Sequence, residues 1–157
     1  MKRGAIFSGI MASVLLVGVH ASHAEKWDRS NFKANSIEAG YYDTDSIKVH
    51  GKIVSWTEKY VYTGDGVKFT ADKLAKYPAC KQAMAKKGNA TYFLTDYQIE
   101  DGKNARIVAK KYYSKGNELV CSGKDMGADF ASYWQPITRN SPMESAYYDL
   151  VTKYKIH

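Results

Sequence analysis

Asp43 and Asp45 stand two residues apart within YYDTDSIKVHGKIVSW, Tyr41 to Trp56, and begin like a calcium loop. A calcium hand continues with glycine at the sixth position and a bidentate glutamate at the twelfth. Here those positions are Lys48 and Val54, so the two aspartates read as hydrogen-bonding turn residues assisted by Ser46. Softer metal ligands are no better arranged. Beyond the first two dozen residues the histidines are His50 and His157, and the cysteines Cys80 and Cys121 are far apart, which gives no zinc spacing. Nucleophilic catalysis needs a nucleophile, a base and an orienting group, and no strand-to-helix G-x-S-x-G elbow is present. The glycine-bearing stretches TGDG (Thr63 to Gly66) and GKDMG (Gly123 to Gly127) are too short to cradle phosphate. The sequence therefore predicts neither an enzyme nor a bound metal or cofactor.

Binding chemistry is better supplied. KKYYSKG, Lys110 to Gly116, interleaves basic and aromatic side chains, as does KYKIH at the C-terminus. Alternate residues of a strand point to opposite faces, so Lys111, Tyr113 and Lys115 are expected to present together, with Lys110 and Tyr112 beside them. The formal charge of +7 suggests an anionic partner, an extracellular matrix protein or an acidic polysaccharide rather than nucleic acid. The thirteen tyrosines allow a second use, because a tyrosine-rich sheet face can also wall a pocket for a small ligand.

The compartment follows from the first residues. Met1 to Ala24 has the form of a signal peptide: Lys2 and Arg3, an apolar core from Ala5 to Val19, and small residues Ser22 and Ala24 before a cut. The apolar core is shorter than the ~20 residues of a membrane span, and no later segment approaches that length. The mature protein is thus expected in the periplasm, at the cell surface or secreted, with no integral membrane segment. Two cysteines in an exported chain predict a Cys80–Cys121 disulfide.

These residues must be positioned by a small α+β domain. Residues 25–40 read as an irregular lead-in anchored by Trp27, and residues 41–157 as one domain. Tyr41 to Asp43 is a short strand, with a turn at Asp45-Ser46. After His50-Gly51, Ile53 to Tyr62 alternates, with Val54, Trp56, Tyr60 and Tyr62 on one face, interrupted by Glu58. Thr63 to Gly66 breaks that pattern, and an inserted helix is expected to start near Pro78 and end at Gly88. Ala90 to Glu100, Ala105 to Tyr113 and Glu118 to Ser122 form a meander. Ser141-Pro142-Met143-Glu144 caps a C-terminal amphipathic helix carrying Met143, Tyr147, Leu150, Val151 and Tyr154. The expectation is an antiparallel sheet of four to six strands with this helix and the inserted one packed on it.

Three segments together resemble the surface-adhesin protein E-like family: YYDTDSIKVHGKIVSWTEKYVY, YQIEDGKNARIVAKKYYSKGNEL and SYWQPITRNSPMESAYYDL. The residues that carry the resemblance are Tyr42, Asp43, Ser46, Ile47, Trp134, Ile137, Ser141 and Glu144, and Asp65 to Lys87 has no counterpart. The resemblance implies a small antiparallel sheet packed with helices. It also implies adhesion to host matrix and cell surfaces. The rival expectation is a soluble periplasmic accessory or small-ligand-binding protein.

Overall fold

A computed structural model describes residues 26–32 and 34–156. The expected signal peptide and His157 lie outside the described residues. The fold is α+β, as expected. Among the described residues seven strands form one antiparallel sheet: β1 (Trp27–Arg29), β2 (Ile37–His50), β3 (Ile53–Tyr62), β4 (Ala90–Glu100), β5 (Asn104–Ser114), β6 (Leu119–Ser122) and β7 (Gln135–Pro136). The first six lie side by side in chain order, and β7 pairs with β5. The helices are α1 (Gly64–Leu74), α2 (Pro78–Lys87) and α3 (Pro142–Tyr154), with a 3-10 segment at Gly123–Asp129.

Several elements differ from the sequence reading, each for a local reason. The lead-in is not irregular throughout, because Trp27, Asp28 and Arg29 pair with Asp43, Tyr42 and Tyr41. Asp45-Ser46 does not end a strand. It forms a bulge inside β2, where the register jumps from Asp43↔Thr57 to Lys48↔Ser55. The acidic motif stabilises that bulge: Asp45 N–H donates to Asp43 Oδ1 (3.1 Å), and Ser46 Oγ donates to Asp43 O (2.7 Å) while accepting from Thr57 N–H (2.8 Å). Thr63 to Gly66 does break the strand pattern, β3 ending at Tyr62, but it also starts a helix not expected there, with Thr63 Oγ1 accepting from Gly66 N–H at 3.1 Å. A side chain at Gly66 is excluded, since a Cβ there would lie 2.1 Å from the carbonyl oxygen of Ser36. There are therefore two inserted helices, the second beginning at Pro78 as expected and ending at Gly88, whose φ is 89°.

Cross-strand pairs point to the same face of a sheet, and all three helices pack on the face that carries the even-numbered residues of β3. One core cluster joins Tyr60, Phe93, Tyr112, Val120 and Cys121 to Leu74, Cys80 and Met84 of α1 and α2. A second joins Tyr42, Val54, Trp56 and Ile99 to Leu150 of α3. Cys80 of α2 and Cys121 of β6 are at disulfide-bonding distance with Cα atoms 4.7 Å apart, tying the helical insertion to the last long hairpin. By chain-entropy reasoning a loop of this size contributes about 4 kcal/mol. Ser141 caps α3 by accepting from Glu144 N–H (3.2 Å), and Glu144 reaches back one residue further than a standard box, accepting from Asn140 N–H at 2.6 Å. Tyr147 lies against the hairpin turn at Gly102, where a Cβ would sit 3.0 Å from its ring.

Candidate functional site

The helices do not cover the sheet evenly. α1 and α2 sit over one half and α3 over the other, leaving two clefts on the same face. Both are lined by Phe32, Tyr60 and Tyr97. Phe32 packs edge-on to Tyr60 with ring centroids 4.9 Å apart. Gly40, paired with Tyr60, makes room for this, because a Cβ at Gly40 would meet Ser30 Oγ at 2.4 Å and Phe32 Cβ at 3.4 Å.

A polar row crosses the apolar face between the aromatic rows. Register places Tyr42 beside Glu58, Glu58 beside Thr95, and Thr95 beside Lys110. The neighbouring row is Gly40, Tyr60, Phe93 and Tyr112. Its Tyr60 and Phe93 rings stack at 4.9 Å, and Phe93 and Tyr112 lie 5.7 Å apart. Two ionisable residues of opposite sign thus stand two strands apart on the covered face, one toward each cleft.

The larger cleft, about 600 Å³, lies between the sheet and α1. Its walls are chiefly rings: Tyr62, Phe69, Tyr77, Phe93 and Tyr112 add to the three shared ones. Among the described residues the charged groups lining it are Lys73, Lys76 and Lys110, with no carboxylate. Lys110 Nζ lies 4.3 Å from the Phe93 ring centroid and 5.4 Å from that of Tyr112. Burial, and secondarily the neighbouring charge of Lys73, push the Lys110 ammonium down to about 8. Lys76 is taken up by Asp129, with Nζ to Oδ2 at 3.0 Å. Lys110 and Lys73 have no ion-pair partner among the described residues.

The smaller cleft, about 400 Å³, lies between the sheet and α3 and has the opposite character. Glu58 forms part of its floor and is 2 % exposed. Trp56 Nε1–H donates to Glu58 Oε1 at 2.8 Å, and Tyr60 O–H donates to Oε2. Burial pushes this carboxyl up to about 7, with the Trp56 hydrogen bond opposing and the charge of Asp149 adding to the rise. Asp149 of α3 lines the far wall and accepts from Tyr42 O–H at 3.4 Å. Tyr42 and Tyr97 hold their phenolic protons well above the usual tyrosine range, first through burial and then through the charge of Glu58.

The structure divides the five residues singled out in the sequence. Lys110 and Tyr112 line the larger cleft on the helix-covered face. Lys111 and Tyr113 lie on the other face, where Tyr113 stacks on Tyr92 at 5.2 Å with an 8° tilt. Lys59 adds its ammonium 4.4 Å from the Tyr92 ring and 5.5 Å from that of Trp27. Lys115 does not continue this set, because β5 ends at Ser114 and Lys115 is in the following turn. The strand is also not a sheet edge at this point, since Lys111 pairs with Leu94 on one side and Ser122 on the other. Cys80 and Cys121 lie near Asp125, but the two sulfurs are at bonding distance from each other.

Glu58 was visible in the sequence only as an interruption of an apolar face. An acidic residue at the centre of an alternating strand is a signal in itself, because a carboxyl is seldom buried without a partner or a task. No protein-family model, curated protein or solved structure matches the chain.

Proposed function

We propose that the chain is an exported, non-catalytic binding protein that takes a small amphipathic anion into the cleft between the sheet and α1. The observation that carries this reading is Lys110, a largely buried ammonium among aromatic rings with no carboxylate lining its cleft among the described residues. A buried charge without a counter-charge is costly. A ligand carboxylate or sulfonate would supply that counter-charge, and its apolar part would lie on Phe93, Tyr60 and Tyr62. The volume of about 600 Å³ is within the range of small-molecule sites. Pairing of Cys80 with Cys121 is compatible with an oxidising compartment.

A naphthalene sulfonate is a suitable probe, since it combines a ring system with a fixed anion. Calorimetric titration of the protein should give saturable binding that weakens at least tenfold in Lys110→Met and is unchanged in Lys111→Glu. Equal binding by Lys110→Met and wild type would reject this site.

A second reading rests on the opposite face. There Trp27, Lys59, Tyr92, Tyr113 and Lys111 form a row of rings and ammonium groups. Such a surface suits an acidic polysaccharide or a matrix protein, as the resemblance to surface-adhesin protein E-like domains implies. Loss of heparin retention in Lys59→Glu/Lys111→Glu, with naphthalene sulfonate binding intact, would favour it.

A further inference from the structure

The smaller cleft has a chemistry that the anion site does not account for. Its two acidic residues, Glu58 and Asp149, come from different elements, β3 and α3, and among the described residues no lysine, arginine or histidine lines it. Neither carboxylate has an ion-pair partner among the described residues, although the chain as a whole carries a net charge of +7. Aromatic rings of Phe32, Tyr42, Tyr60 and Tyr97 surround the space between them. Glu58 is also held in place: its two oxygens accept from Trp56 and Tyr60, so the carboxyl cannot turn away to solvent.

We propose that this cleft binds a small organic cation, a primary or quaternary ammonium group, seated against the tyrosine rings with Glu58 and Asp149 as its counter-charges. Ring faces attract a cation through their quadrupoles, and do so best where water is excluded. An anion would be repelled by both carboxylates. A neutral apolar guest would leave Glu58 without a counter-charge. A metal ion is a poorer match, since Glu58 already accepts two hydrogen bonds and a hard cation needs six or more oxygens, or waters in their place. The site stands on residues separate from Lys110, so it does not depend on the anion reading.

Binding of the cation requires Glu58 in its charged form. The groups that face it are Tyr42 of β2, Trp56 and Tyr60 of β3, Tyr97 of β4, and Asp149 of α3. Tyr42, Tyr97 and Tyr154 keep their protons across the neutral range, their phenols being raised by burial first. The titration near neutrality therefore belongs to Glu58, whose carboxyl burial pushes up to about 7.

The test is a titration of the full chain with tetramethylammonium, followed by tryptophan fluorescence, since the Trp56 indole donates directly to Glu58. Saturable binding is expected at pH 8, at least tenfold weaker at pH 5.5. Glu58→Gln should lose it, Asp149→Asn should weaken it several-fold, and Lys110→Met should leave it unchanged. Asp149→Asn serves as a second probe should Glu58→Gln fail to fold, because Asp149 is only partly buried. The proposal is overturned by an absence of saturable binding, by Asp149→Asn matching wild type, or by glucose or tert-butanol binding as well as the cation.

Discussion

Glu58 and Lys110 show how far a single residue's meaning depends on its row in the sheet. In sequence Lys110 and Lys111 are adjacent and alike, yet one is inside a cleft and the other on the opposite face. Alternation gave that division, but which parity faces the helices could not be read without the bulge that omits Val108 from the β4–β5 register. Glu58 carries a measurable consequence. Its carboxyl is raised from 4.5 to about 7 in the folded protein, so the native state holds this proton more tightly than the unfolded chain. For a raised acid, stability is greatest below the unfolded value and falls as pH rises through the folded one. Urea unfolding of wild type and Glu58→Gln, compared from pH 4.5 to pH 8, should show wild type losing up to roughly 3 kcal/mol relative to the variant by pH 7, then running parallel. Parallel curves throughout would mean that the carboxyl is not desolvated.

At the scale of elements, the final helix was the most legible and the helical insertion the least. Ser141, Pro142 and Glu144 announce the start of α3, and Met143, Tyr147, Leu150 and Tyr154 describe its buried side. These signals are local, so sequence alone conveys them. The start of α1 was hidden because glycines at Gly64 and Gly66 argue against a helix, and only packing against Ser36 makes Gly66 necessary. β1 was hidden for a related reason: three residues gain strand geometry only by pairing with β2, a contact remote in sequence. α3 is further tied to β1 through Asp28, which accepts from Tyr154 O–H at 2.7 Å and pairs with Lys153 at 2.7 Å. Leu150 is fully buried beneath this helix. Leu150→Ala should therefore cost about 2–5 kcal/mol in urea unfolding, and a loss below about 0.5 kcal/mol would mean that α3 does not dock on the sheet. Because α3 forms one wall of the acidic cleft, the same variant should also weaken tetramethylammonium binding.

Across the whole molecule, one sheet face serves as scaffold for two clefts of opposite charge, and the other carries a row of rings and lysines. The fold class and the Cys80–Cys121 pairing were legible in the sequence, because both rest on local pattern or residue count. The clefts were not, because they form where α1 and α3 leave the sheet uncovered, and that spacing is set by tertiary packing. The central claim is that ligand binds on the helix-covered face at Lys110. The most direct measurement is an amide and side-chain NMR titration of the labelled protein with naphthalene sulfonate. Shifts should concentrate at Phe69, Lys73, Phe93, Lys110 and Tyr112, the walls of the larger cleft. Shifts confined to Lys59, Tyr92, Lys111 and Tyr113, or none at saturating probe, would contradict it.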